Sequence, residues 1–262
     1  MPALVETMTH FGEVPWHGNS TPMTEAEIYD LDACQGKAGL DWLAEKIQLC
    51  TMDNHTLVDA YAIRRVTDGK ILGDRVGARY TILQNKDAFQ WFKPFVEAKE
   101  AQLHTAGALY EGSRIWILAR LNLAPLEIAA GDIVEKFILL SHSHDGSLAV
   151  RVGFTPIRVV CANTLAMAHD SDASKLIRVK HSKSVQTNLE NIREVMSLAN
   201  QEFEATAEQY RLLATKTINS ADVEKYVRLV FKDMLKEDKD DKKITDVLAV
   251  PADKIKTRTR NI

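Results

Sequence analysis

Cysteine is scarce in this chain: Cys34, Cys50 and Cys161 are the three in 262 residues. An odd number at wide spacing cannot build a disulfide framework, so the chain reads as one made for a reducing cytoplasm. No CxxC pair occurs, which excludes a thiolate zinc ribbon. No GxxxxGK[ST] phosphate loop and no GxGxxG turn occur, and no carboxylates stand paired at catalytic spacing, so no template for phosphoryl transfer, dinucleotide binding or hydrolysis is present. No run reaches the roughly 18 apolar residues of a membrane span. Glu6 falls where a signal peptide needs its apolar stretch. The expectation is therefore a non-secreted cytoplasmic protein with no membrane partner. A basic excess is lacking too: 33 Lys and Arg face 36 Asp and Glu, for a net charge of -3, against indiscriminate coating of nucleic acid.

What is present is ordinary globular composition, 45% hydrophobic and 26% charged, enough for one large domain or two small ones. The charges are uneven. Between Arg151 and Lys183 the bases Arg151, Arg158, Lys175, Arg178, Lys180 and Lys183 meet only Asp170 and Asp172, whereas from Ser184 to Asp241 the acids outnumber the bases. Such asymmetry can make a local positive face, or simply scatter solvated charge.

Along the chain, Thr24 with Glu27 three residues on reads as a capping box opening a short helix to Ala33, and Leu40 to Leu49, after Gly36 and Gly39, as a second amphipathic helix. Ala60 to Thr67 and Lys70 to Val76 read as a hairpin across Asp68-Gly69, the dipeptide of tight primed turns. Arg79 to Leu83 extends this sheet. Asn85 caps a helix whose apolar face is Ala88, Phe89, Phe92 and Val96, with Pro94 as a kink or stop. Leu103 to Tyr110 and Arg114 to Leu121 form a second hairpin across Glu111-Gly112, and Phe137 to Ser141 with Leu148 to Phe154 a third. Asn163 or Thr164 caps a helix toward His169, and Leu176 to Ser182 is a strand. From Ser184 the apolar residues Val185, Leu189, Ile192, Met196, Ala199, Phe203, Thr206, Tyr210 and Leu213 recur at steps of four and three. That spacing predicts one long helix of roughly 30 residues and 45 Å. It packs on its own sheet or pairs with a second copy. A shorter helix starts at Ser220.

The predicted fold is α+β: a mostly antiparallel sheet of five or more strands with inserted helices and the long C-terminal helix laid on it. The domain spans 1–235, with N-terminal helices in 24–50, the sheet in 60–182 and a helical region in 184–235. Residues 236–262, with Lys236 to Lys243 (KEDKDDKK) and Lys254 to Arg260 (KIKTRTR), form a charged linker and basic tail. The tail ends without a stop feature, which points to a further region in longer relatives.

Four blocks, Tyr80 to Phe92 (YTILQNKDAFQWF), Ser113 to Ala119 (SRIWILA), Leu139 to Ser147 (LLSHSHDGS) and Leu148 to Ala168 (LAVRVGFTPIRVVCANTLAMA), resemble in sequence and order the phage-like and plasmid-like family known as domain of unknown function 932. The resemblance covers roughly residues 10 to 235. It implies a setting in mobile DNA and carries no agreed activity.

Candidate chemistry is thin. His142 and His144, two apart on a strand beside Asp145, could face a metal from one side, but a third ligand is missing locally, and a polar His-Asp-Gly turn explains them as well. Cys161 could be a nucleophile with His169 or His181 as base, but Val159-Val160-Cys161-Ala162 reads as a buried structural thiol. Arg114, Trp116, Leu118 and Arg120 share one face of their strand, opposite Ile115, Ile117, Ala119 and Leu121. Together with Arg151, Arg158, Lys175, Arg178, Lys180 and Lys183 they interleave cations with an indole. That combination binds single-stranded DNA, the cations neutralising phosphates and the ring stacking on bases. It does so only if those faces converge; otherwise Trp116 is core with arginines at its rim. The leading expectation is a non-catalytic, multimeric mobile-element protein that binds single-stranded DNA, with annealing or recombination as its role and neither metal nor cofactor. Alternatives are a structural protein assembling through the long helix, and an enzyme whose site gathers His104, His144, Asp145, Arg158 and Asn163.

Overall fold

The computed structural model describes residues 3–122, 126–129, 132–171 and 174–192. All of them fall in one unit, residues 1–207. The chain begins with β1 (Val5–His10) and the two-residue β2 (Thr21–Pro22), then a 3-10 turn Glu27–Tyr29 and α1 (Leu31–Lys37). β3 (Ala44–Cys50), β4 (Leu57–Arg65) and β5 (Ile71–Val76) form a three-stranded sheet. After α2 (Asn85–Gln90) and α3 (Lys93–Glu97) come β6 (Ala101–Leu109), β7 (Arg114–Leu121), the ribbon β8 (Leu126–Ala129) and β9 (Asp132–Val134), β10 (Phe137–Ser143), β11 (Val150–Thr155), α4 (Ala162–Asp170) and β12 (Lys175–Val179). Residues 185–192 are helical.

The large sheet has seven strands in the order β12-β11-β10-β7-β6-β1-β2. Every pairing in it is antiparallel except β1 with β2, which makes the sheet mixed. Both faces are covered. Against one lie α1 to α3, Trp42 and the small sheet, with Val185, Leu189 and Ile192 buried in the same core; the Trp91 indole donates to the Leu189 carbonyl at 2.8 Å. The first turns of the expected long helix therefore do pack on this body. Its continuation past 192, the helix at Ser220 and the tail lie outside the described residues. Against the other face lie Val159, Val160 and α4 through Ala162, Leu165 and Ala168.

Several local expectations give way to tertiary partners. Residues 44–50 form β3 and not a helix, because β4 offers a strand edge and the Gln84 side-chain amide bonds both the N–H and C=O of Ala44, at 3.0 and 2.8 Å. Pairing of this kind outweighs local propensity. The sheet region likewise begins well before 60, at β1. Residues 79–83 are not a strand: Lys46 Nζ takes the carbonyls of Ala78 and Tyr80, and the Thr81 amide bonds the carbonyl of His181. In the β4–β5 hairpin only Gly69 has positive φ; Asp68 acts through its side chain, accepting from the Lys70 amide at 3.1 Å. Asn85 is no cap but a buried first residue of α2 bonded to Leu40 and His144. α4 is capped not by Asn163 or Thr164 but by Cys161, two or three residues earlier, with Thr164 closing the capping box.

Gly153 holds β12 to the sheet. Its φ is +156°, and a Cβ there would overlap the Lys175 carbonyl. Gly153→Ala is expected to cost about 1–3 kcal/mol through this overlap. Urea denaturation measures the loss, and hydrogen exchange should show the β12 amides deprotected first.

Candidate nucleic-acid interface

The register aligns Arg178 of β12, Arg151 of β11, Ser141 of β10 and Trp116 of β7 in one row across the sheet. Directly paired residues share a face, so these four point the same way, and so do Arg114 and Arg120, two and four residues from Trp116. Arg114, Arg120, Arg151 and Arg178 thus share one face of the sheet. The indole on that face is covered. Trp116 is fully buried, lies against Gly107 and donates from Nε1 to Thr105 Oγ1 at 3.2 Å. Thr105 in turn donates to the Val159 carbonyl at 2.6 Å, closing the layer above the ring. Trp116 is therefore core, because 157–162 and α4 roof a face that the strand alternation leaves blank.

The remaining candidates separate into groups. Arg120 is paired with Glu135 at 2.7 Å, at the Phe137 end of β10. Near that end Arg158 donates from Nε to His104 Nε2 at 2.9 Å and also reaches the carbonyls of Phe11 and Glu13. Both are structural partners, not free cations. Lys175 pairs with Phe154, whose side chain belongs to the opposite core, so Lys175 is off the shared face. Lys180 and Lys183 are exposed, just beyond β12.

Arg114, Arg151 and Arg178 form a cluster at the other end. Among the described residues no carboxylate lies within 4 Å of any of them. Arg151 buries Nε and Nη1 without a hydrogen-bond partner. Burial lowers its pKa, and Arg178 and Arg114 lower it further while Asp170 works the other way. Beneath them the Ser141 hydroxyl and His169 Nε2 are 2.9 Å apart. Burial, then Arg151, Arg114 and Arg178, push His169 down to about 3, so its ring is neutral at pH 7. Tyr110, unnoticed in the sequence, is the aromatic of this corner: the residue is 40% exposed and its ring carries the Arg114 guanidinium 4.6 Å from its centre. The turn residues Tyr110, Glu111 and Gly112, all with positive φ, lift it out of the sheet. A Tyr placed just before Glu-Gly was the available signal.

Cys161 is buried, as its apolar surroundings in sequence suggested, and neither histidine weighed as its base is bonded to it. His169 is on Ser141 and His181 Nδ1 is on the Thr81 carbonyl, while the Cys161 thiol sits in the cap of α4. Of the scattered enzyme candidates, His104 and Arg158 meet, but His144 and Asp145 lie at the far end of β10. The Asp145 side chain accepts from the Ser147 amide at 2.8 Å, as a polar turn requires. Among the described residues no helix is long and apolar enough to cross a membrane.

The family model described as domain of unknown function (DUF932) matches residues 74–256. No curated protein and no solved structure matches the chain.

Proposed function

Since the chain belongs to the DUF932 family, whose description assigns no activity, we propose from the site alone that it binds single-stranded DNA, through Arg114, Arg151 and Arg178 with Tyr110. The supporting observation is the three guanidiniums gathered on one sheet face with, among the described residues, no carboxylate within 4 Å. Like charges held together repel, and an anion relieves that cost; guanidinium forks suit phosphate oxygens. Strands about 4.8 Å apart set the arginines at intervals that a flexible single strand can follow. Tyr110 offers a face on which an unpaired base stacks. The site is local, which accommodates the net charge of -3. Annealing or recombination of mobile DNA by a multimer is the role this binding would serve.

Fluorescence anisotropy with a labelled single-stranded oligonucleotide tests the proposal. Three phosphate contacts predict a slope of log affinity against log salt of roughly -2. Arg151→Glu with Arg178→Glu is expected to weaken binding by more than about tenfold. Tyr110→Ala should lose the stacking share, about 1–3 kcal/mol. Absence of binding at tens of micromolar protein in low salt, or unchanged affinity in the double variant, removes the reading.

A further inference from the structure

Arg151 of β11 and Arg178 of β12 are direct cross-strand partners. Residues so placed have Cβ atoms about 4.5–5.5 Å apart, and like charges there destabilise the pair of strands. Nothing nearby in the protein neutralises them. Arg151 has Nε and Nη1 unpartnered, and among the described residues no carboxylate lies within 4 Å of either guanidinium. Asp170, exposed at the end of α4, offsets Arg151 only from beyond that distance.

The pair also sits at a blind end. On the β10 side its row continues with Ser141, and His169 of α4 covers that position, with Nε2 2.9 Å from the Ser141 hydroxyl. Trp116, next in the row, is buried under the same roof. On the other side β12 is the edge strand of the sheet. Toward the Phe137 end, the cations Arg120 and Arg158 are engaged by Glu135 and His104. The face offers its next cation in the opposite direction, where Arg114 lies over the exposed Tyr110 ring.

An internal phosphodiester has chain on both sides and brings one negative charge. A terminal phosphate has chain on one side, close to two negative charges at pH 7 and three acceptor oxygens. We propose that Arg151 and Arg178 form a socket for the terminal phosphate monoester of a DNA strand, the chain leaving past Arg114 and Tyr110. A dianion cancels the charge of the pair, where a diester leaves one positive charge over, and two guanidinium forks suit three oxygens. Arg114 then takes the following phosphodiester, and Tyr110 stacks on a base beside it. This inference deepens the single-strand reading and rests on it: the protein grips the strand by its end. The 5′ and 3′ ends can carry the same monoester, so both are tested.

Fluorescence anisotropy compares versions of one internally labelled oligonucleotide: hydroxyl at both ends, 5′-phosphate, 3′-phosphate, and each phosphate capped as its methyl ester, which leaves a single charge. At least one phosphorylated end is expected to bind about tenfold or more tighter than the hydroxyl-ended strand, and the methyl ester to lose most of that gain. Arg151→Gln should reduce the preference to below about threefold, whereas Arg114→Gln should weaken every version alike. Arg178→Lys, which keeps the charge on the edge strand and loses the fork, should also diminish the preference, and it decides alone if Arg151→Gln does not fold. Equal affinity for phosphate and hydroxyl ends overturns the socket and leaves the single-strand reading standing; absence of binding to every version overturns both. A preference undiminished in Arg151→Gln, or in Arg178→Lys where that variant decides, overturns the socket as well.

Discussion

Trp116→Ala is expected to lower the stability of the domain by about 3–5 kcal/mol, the usual cost of truncating a large buried ring. The ring lies between β6 and the roof formed by 157–162 and α4, and it belongs to the smaller of the two core layers with Met8, Leu109, Leu118 and Phe137. Gly107, directly across the strand pair, has no side chain to fill the space, because a Cβ there would overlap the indole and the Thr7 carbonyl. Domains have only about 5–15 kcal/mol in total, so urea denaturation should show the midpoint falling by roughly a fifth or more. Trp116→Phe keeps most of the area and loses the bond to Thr105, worth about 1 kcal/mol. Tyr110→Ala, at the exposed corner, should leave the midpoint almost unmoved while weakening oligonucleotide binding. A midpoint unchanged in Trp116→Ala would contradict the burial.

Acid is expected to unfold the protein well above the range where carboxylates titrate. His104 accepts the Arg158 N–H at 2.9 Å and therefore must be unprotonated at Nε2. Burial, then Arg158, Arg120 and His10, push it down to about 3. In the unfolded chain its pKa returns to about 6.5. Between those values the unfolded state binds the extra proton, so stability is full above pH 6.5 and falls as pH drops, by about 1.4 kcal/mol per unit for this residue until the folded pKa is reached. His169, also down to about 3 and less enclosed, acts in the same direction. Denaturation midpoints at pH 8, 6 and 5 measure the slope, and His104→Gln should flatten it by close to one proton. A midpoint constant from pH 7 to 5 would refute the neutral buried state of both rings.

The three hairpins were legible because turn dipeptides and period-two alternation are written locally: β4–β5, β6–β7 and β10–β11 pair as their sequences suggest. The arginine faces were legible for the same reason, since alternation determines which residues share a side. Alternation is silent on whether a side is roofed, and that is why Trp116 read as a stacking platform; the glycine opposite it, at 107, was the overlooked sign of a large neighbour. β3 was missed because its partner groups, on β4 and Gln84, are distant in sequence. The ribbon of β8 and β9 was not anticipated.

The two rims of the large sheet are closed off by different means. On one, β2 is two residues long and ends in Pro22, which has no amide to offer another strand. On the other, β12 exposes Lys175 and Arg178, so an incoming copy would have to bury cations to add itself. Arg178 thus serves solubility as well as the proposed grip on phosphate, and neutralising it would invite fibrous self-association even in a variant whose fold is intact.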